Sequence, residues 1–239
     1  MKYEKLRGIV VKSIDYLESD KLLTLLTFER GAVTAKAKGV RKKGAKLSYG
    51  ARQFFCGDFE CVESHGKLII TGVSRLYDFS DIAFDIDKYY TACHFADITS
   101  SVIMQDHPDE EMLRFFLNSL HFLLKDTTNL SLLTSVYELR TAVLAGFAPV
   151  MDECPVCGSV GKEMFFSPEN GGMVCCVPGV RLNSDTVKLI GILTECSMKE
   201  VFSLTLPEEL LPELSSVSLG YLESVLDRKF TKLNDIKYI

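Results

Sequence analysis

The hydrophobic period of this chain changes once, near Phe79, and that change limits its architecture more than any other feature. Before it, apolar residues fall in short aliphatic and β-branched runs: LRGIVVKSI, KLLTLLTF, AVTAKAK, QFFCGDFECVES and KLIITGVSRL. In AVTAKAK, Val33, Ala35 and Ala37 face one way and Thr34, Lys36 and Lys38 the other, the two-residue repeat of a half-buried strand. Polar turns separate the runs, with DYLESD after the first and His65–Gly66 between the last two. Five short strands in about eighty residues suit a small barrel of the OB type.

After Phe79 the spacing becomes helical. DIAFDIDKYYTACHFADITSSVIM, HPDEEMLRFFLNSLHFLLKD and LSLLTSVYELRTAVLAGF each place apolar residues on one helical face. Pro108 and the acids after it suit a helix start, and Gly146 with Pro149 suits a helix end. A cysteine-rich stretch interrupts this pattern. NSDTVKLIGILTEC then resumes it, as does LPEELLPELSSVSLGYLESVLDRKF, which is expected to run helically through Pro207 and Pro212. The expected fold class is therefore α+β and multi-domain. An OB barrel occupies 1–79, a helical domain 80–150 and 181–239, and a zinc-ribbon-like insert 151–180.

The insert reads CPVCGSVGKEMFFSPENGGMVCC from Cys154 to Cys176. Two thiolates two residues apart grip one metal ion across a tight turn, and a second pair completes a tetrahedron. The interval from Cys157 to Cys175 lies within the range of zinc ribbons, and glycines stand where sharp turns are needed. A regular second knuckle would put its cysteine at position 178, which is Pro178. Cys154, Cys157, Cys175 and Cys176 are thus the candidate ligands of a structural zinc. The fourth position stays open between Cys176, Cys196 and an incomplete site, and a metal-free packed cluster is the bland alternative. The other cysteines, Cys56, Cys61, Cys93 and Cys196, sit among apolar neighbours and read as small buried hydrophobes. A redox role for the CPVC pair lacks the strand-to-helix setting that such pairs use.

The 239 residues carry a net charge of −5, which conceals an asymmetry. From Arg30 to Gly57 there are eight basic residues and no acidic one. Lys36, Lys38, Arg41, Lys42, Lys43, Lys46 and Arg52 are the candidate phosphate-binding set, a stripe suited to a polyanion. Tyr49, Phe54 and Phe55 lie just beyond and are either stacking faces or core, with core favoured for each. GVRKKGAKLS has the look of a phosphate-binding loop, but Ala45 stands where the lysine is required. No metalloprotease, nucleophile-elbow or dinucleotide motif is present, and the four histidines are scattered, so no catalysis is expected. No apolar run is long enough to span a bilayer and no signal segment opens the chain, so a cytoplasmic protein without membrane partners is expected.

Four stretches together resemble the RecO-type recombination mediators of bacteria. They are SDKLLTLLTFERGAVTAKAKGVRKKGAKL, YELRTAVLAGFAPVMDECPVCG, FFSPENGGMVC and the closing YLESVLDRKFTKLNDI. The resemblance implies an N-terminal OB domain, a helical domain and a four-cysteine zinc insert. It also implies non-enzymatic work in DNA repair, DNA recombination and the DNA damage response. Such proteins bind and anneal single- and double-stranded DNA, act with RecR, and help load RecA onto DNA coated with single-strand DNA-binding protein. They recognise the C-terminal tail of that protein through the helical body, where Arg140 is the candidate, and associate with the nucleoid when DNA-bound. Pro178 departs from the family's second knuckle. The rival readings are a protein–protein adaptor without direct DNA binding and a redox enzyme using the cysteine cluster.

Overall fold

In the computed structural model, which describes residues 2–125, 129–203 and 207–230, each of the five β-runs forms a strand. They are β1 (Lys2–Tyr16), β2 (Asp20–Thr27), β3 (Gly31–Ala37), β4 (Phe55–Ser64) and β5 (Lys67–Asp78). They close into a barrel of order β1-β2-β3-β5-β4, with β4 returning to β1. The β3–β5 pairing is parallel and short; the others are antiparallel. This is the OB arrangement expected from the alternation. Leu6, Val10, Leu23, Leu25, Val33, Ala35, Phe55, Phe59 and Ile70 fill the interior. Each comes from the inward-facing half of its strand, and burial of such side chains contributes about 1.5–3 kcal/mol apiece. The β4–β5 turn places His65 at φ 52° and Gly66 at φ 70°, the mirror-type turn that matches strand twist.

The chain divides into two compact units, Met1–Lys125 and Asp126–Ile239. The first holds the barrel together with α1 (Ile86–Val102) and α2 (Glu110–Leu123). Asp85 and Asp109 cap these helices by accepting hydrogen bonds from backbone N–H groups of their first turns. The segment after α1 is tied to the barrel at Gly31, where a Cβ would meet the Met104 carbonyl oxygen at 2.3 Å. At φ 61° this position also needs a left-handed backbone, so glycine is required twice over. Arg30 beside it bonds Asp106 and Glu4, both at 2.9 Å.

The second unit contains α3 (Leu130–Leu144), α4 (Ser184–Glu195), α5 (Met198–Val201) and α6 (Leu211–Val225). Glu138 on α3 accepts a hydrogen bond from Ser218 on α6, and the Ser135 and Ser215 hydroxyls meet at 2.8 Å. The helix expected to run through both prolines is shorter than the sequence suggested. Residues Glu208–Leu210 form a 3-10 turn, α6 starts at Leu211 with Pro212 in its first turn, and it ends at Val225. Proline is tolerated there because first-turn N–H groups have no intrahelical acceptor. The rest of the closing stretch, from residue 231, lies outside the described residues. Among the described residues no helix is long and apolar enough to cross a membrane.

Candidate nucleic-acid interface and metal centre

The basic segment between β3 and β4 is a succession of turns rather than an open loop. Backbone bonds link Lys42 N to Gly39 O, Ala45 N to Lys42 O and Ser48 N to Ala45 O at 3.1–3.2 Å. Val40 is buried, and Leu47 and Tyr49 pack onto the barrel core from this segment. Those apolar pins turn the charged residues outward: Lys38, Arg41, Lys42, Lys43, Lys46 and Arg52 are all exposed.

The eight cations are not equivalent. Lys36 Nζ lies 2.8 Å from Asp20, Arg41 bonds Asp15 at 3.0 Å, and Arg30 is held as described above. The Lys36 hydrogen bond and the Gly39 amide hold the Asp20 carboxyl below the usual carboxylate range. Lys38, Lys42, Lys43, Lys46 and Arg52 have no carboxylate partner among the described residues. Counting charge along the sequence missed Asp15 and Asp20 because they stand at the paired ends of β1 and β2, which only the barrel brings alongside.

The stacking option for the three aromatics fails. Phe54 and Phe55 are buried, and Tyr49 packs edge-on against Phe55 with ring centroids 5.4 Å apart while its hydroxyl donates to Val73 O. They are core residues. An aromatic that does lie beside the basic segment is Tyr16, whose ring has Lys36 Nζ 4.8 Å from its centroid. Its signal in the sequence was the i, i+2 pair Ile14 and Tyr16 leading into a polar turn.

In the second unit the four candidate cysteines converge. The sulfurs of Cys154, Cys157, Cys175 and Cys176 all lie within 4.8 Å of one another. The first two sit on a tight turn closed by Gly158 N to Cys154 O at 2.8 Å and Cys154 N to Ser159 O at 3.0 Å. The second two follow a hairpin of β6 (Phe165–Ser167) and β7 (Gly172–Val174). Gly172 runs so close to Val150 that a Cβ would lie 2.2 Å from its carbonyl oxygen. Phe166 packs against Tyr221 of α6, centroids 5.7 Å apart, which anchors the hairpin to the helices.

Cys154 and Cys176 are 3.8 Å apart, and Cys157 and Cys175 3.6 Å. Disulfide sulfurs stand about 2 Å apart, so these are not disulfides. Four thiolates around a tetrahedral zinc, with bonds of about 2.3 Å, would have edges of about 3.8 Å. The four cysteines are therefore close enough to hold a metal ion, and the donor set suits zinc. Burial opposes the Cys154 thiolate, but the amides of Cys175, Cys157 and Val156 turned toward it outweigh that and lower it to about 6. Ser159 lowers Cys157 in the same way, whereas Cys176, bonded to Cys157 and partly desolvated, is pushed up to about 12. Metal ligation needs thiolates, so a cation bound here would displace whatever protons the cluster holds.

Cys196 is not part of this group; its thiol donates to Leu193 O at the end of α4. Like Cys93 it is half-buried rather than fully buried, while Cys56 and Cys61 are core as expected. Arg140 is buried, and one of its Nη atoms donates to the carbonyls of Leu193 and Thr194, while its Nε has no partner among the described residues.

A closed OB barrel joined in one chain to a helical unit with a four-thiol centre defines the class, a modular OB-fold protein with a metal-competent insert. Residues 1–71 match the family described as Recombination protein O N terminal, and residues 83–234 that described as Recombination protein O C terminal. The chain belongs to the Recombination protein O family. It is 30% identical to the DNA repair protein RecO of Acetivibrio thermocellus over 99% of this chain and 97% of that one. The proteins of the same name from Caldicellulosiruptor saccharolyticus and Clostridium perfringens are 25% and 26% identical, over 100% of both chains and over 97% and 96% respectively.

Proposed function

We propose that this chain is a non-enzymatic recombination mediator that binds single- and double-stranded DNA through the basic segment of its barrel. The observation that carries the reading is the set of five outward cations, Lys38, Lys42, Lys43, Lys46 and Arg52, without carboxylate partners among the described residues. Lys36 and Arg41 join them if phosphate competes with Asp20 and Asp15 for their charge. Neutralising phosphates releases counterions, and it lets two strands approach each other, so annealing follows from charge compensation rather than from chemistry at a bond. Phosphate contacts carry no base information, so binding is expected to be independent of sequence.

Zinc held by Cys154, Cys157, Cys175 and Cys176 fixes the insert on the helical unit. Its role is structural, since four protein ligands leave no position for substrate. The helical unit is the part assigned to partners: RecR, the C-terminal tail of single-strand DNA-binding protein and, through displacement of that protein, RecA. The place of action is the cytoplasm, on the nucleoid when DNA is bound.

Binding of a labelled single-stranded oligonucleotide across a salt series tests this. With five phosphate contacts the slope of log affinity on log salt is about −3.5, from roughly 0.7 per contact. No binding at low salt would leave the protein an adaptor that only recruits partners.

A further inference from the structure

We infer that the four-thiol centre is a peroxide-sensitive modification site, at which Cys157 pairs with Cys175 and Cys154 with Cys176 as disulfides and the bound zinc is given up. The inference rests on the structural-zinc reading above and adds a chemistry that the reading does not contain.

The two members of each pair differ in access. Cys157 and Cys176 are exposed, Cys175 is half-buried and Cys154 is buried. Each exposed sulfur has a less exposed one beside it: Cys157 lies 3.6 Å from Cys175, and Cys176 3.8 Å from Cys154. In this arrangement an accessible thiolate is oxidised first and a neighbouring sulfur resolves it. Disulfide sulfurs stand about 2 Å apart, so each pair closes by less than about 2 Å.

The other pairings are poorer. Cys175 and Cys176 are adjacent in the chain, and adjacent Cα atoms stand about 3.8 Å apart, below the roughly 4.4 Å that a disulfide ordinarily needs. A bond from Cys154 to Cys157 would leave those two neighbours with only each other. Both bonds therefore run from the Cys154–Cys157 turn to the segment after β7. This separates the centre from a Cys-x-x-Cys redox carrier, whose two motif thiols pair with each other.

The chemistry balances with hydrogen peroxide as the oxidant. The exposed thiolate attacks one peroxide oxygen and breaks the O–O bond; it becomes a sulfenic acid, and the departing hydroxide takes a proton to form water. The partner sulfur then attacks the sulfenic sulfur, forms the S–S bond and expels hydroxide, which is protonated in turn. For each pair, two thiolates lose two electrons, one peroxide gains them, and two protons from solvent complete two waters. A disulfide sulfur carries no negative charge, so two peroxides remove all four ligands.

The insert is built to survive this exchange. Val150 N donates to Gly171 O at 3.0 Å, and Val150 O accepts from Met173 N at 2.8 Å, while Phe166 packs on Tyr221. Two bonds from the turn to the segment after β7 join the same two stretches that the ion joins. Loss of the ion to a chelator leaves those stretches without a link through their sulfurs.

The test uses the full zinc-loaded chain, stepwise hydrogen peroxide, a zinc-binding dye, and mass spectrometry of unreduced, alkylated peptides. Two peroxides per chain are expected to release the zinc at least about tenfold faster than the dye does alone. They should leave Cys157 linked to Cys175 and Cys154 to Cys176. Dithiothreitol with added zinc should restore the four thiols and the metal, and Cys196→Ser should behave as the unsubstituted chain does. The oxidised chain should keep the melting transition of its helical unit, which the reduced chain loses on chelation. Zinc retained after two peroxides, sulfinic acids in place of disulfides, a Cys154–Cys157 bond, or an oxidised chain that melts like the chelated one overturns the inference and leaves structural zinc intact. A reduced chain that binds no zinc overturns the zinc reading instead, and the peptide map then decides the pairing by itself.

Discussion

The basic segment of the barrel and the four-thiol centre are both irregular stretches between regular elements, and they are made rigid in opposite ways. The basic segment is held by what surrounds it: Val40 in the core with Leu47 packed against it, Asp20 on Gly39 N, and a series of backbone turns. Its charges repel one another and point outward, so order there depends on the barrel beneath. The thiol centre is held from inside, by four sulfurs gathered within 4.8 Å. Its own chain supplies only short turns and a hairpin of two three-residue strands. One region is a surface displayed by a fold; the other is a small fold gathered around four thiols close enough to hold an ion. The same change of charge should therefore affect function in the first and stability in the second.

The largest expected effect is in the centre. A structural zinc contributes on the order of 10 kcal/mol of folding free energy at neutral pH. Cys154→Ser, which removes the buried sulfur of the set, should abolish stoichiometric metal and the cooperative melting of the helical unit. Metal analysis and thermal denaturation check this, and Cys176→Ser should behave alike while Cys196→Ser keeps its metal. Metal retained in Cys176→Ser would move the fourth ligand elsewhere.

Next comes Lys42→Glu with Lys43→Glu. Both side chains are exposed, so melting should be unchanged. DNA affinity should fall on every sequence, and the salt slope should shrink by about 1.4, from roughly 0.7 per contact. A fall in melting temperature with affinity retained would erase the contrast between the two regions.

Smaller still is Gly172→Ala. Its Cβ would meet Val150 O at 2.2 Å with φ at 154°, so β7 must move away from Val150, at a cost of about 1–3 kcal/mol. Full stability in a melting curve would show that the hairpin is looser than its geometry implies.

The mildest effect is a pH dependence of the barrel unit. The Arg7 and Lys5 side chains hold the Asp58 carboxyl below the usual carboxylate range, as Lys36 holds Asp20 and Arg30 holds Asp106. A carboxylate whose folded pKa is depressed stabilises the fold above its unfolded pKa of about 4 and ceases to do so as pH falls through the folded value. The barrel should thus melt at a constant temperature from neutral pH down to about 5 and lose stability below 4. Asp58→Asn should flatten part of that acid limb; an unaltered limb would mean that other carboxylates carry it.

Much of the fold was legible because it is written in local periods. Alternation in AVTAKAK required one buried and one open face, and Val33, Ala35 and Ala37 are indeed the buried ones. The insert was legible because a Cys-x-x-Cys turn and a fixed interval are properties of short chain segments. The hairpin Phe165–Val174 was not, since its two strands of three residues are too short to show alternation. The length of α6 was misread because apolar spacing continues through Pro207 and past Val225, while the backbone cannot.

By itself, then, the sequence determined the two textures, the barrel and the three cysteines Cys154, Cys157 and Cys175 of the insert, because side-chain spacing along a strand or turn decides those matters locally. Only the tertiary structure decided which cations are paired with a carboxylate, since Asp15 and Asp20 reach Arg41 and Lys36 through strand pairing. It turned Phe54 and Phe55 inward and left Tyr16 outside beside the basic segment. It also chose Cys176 over Cys196 as the fourth thiol, because the position of a sulfur depends on where the hairpin and α4 pack. Ion pairing and ligand geometry are set by distances of a few ångströms between residues far apart in the chain, and only folding establishes those distances.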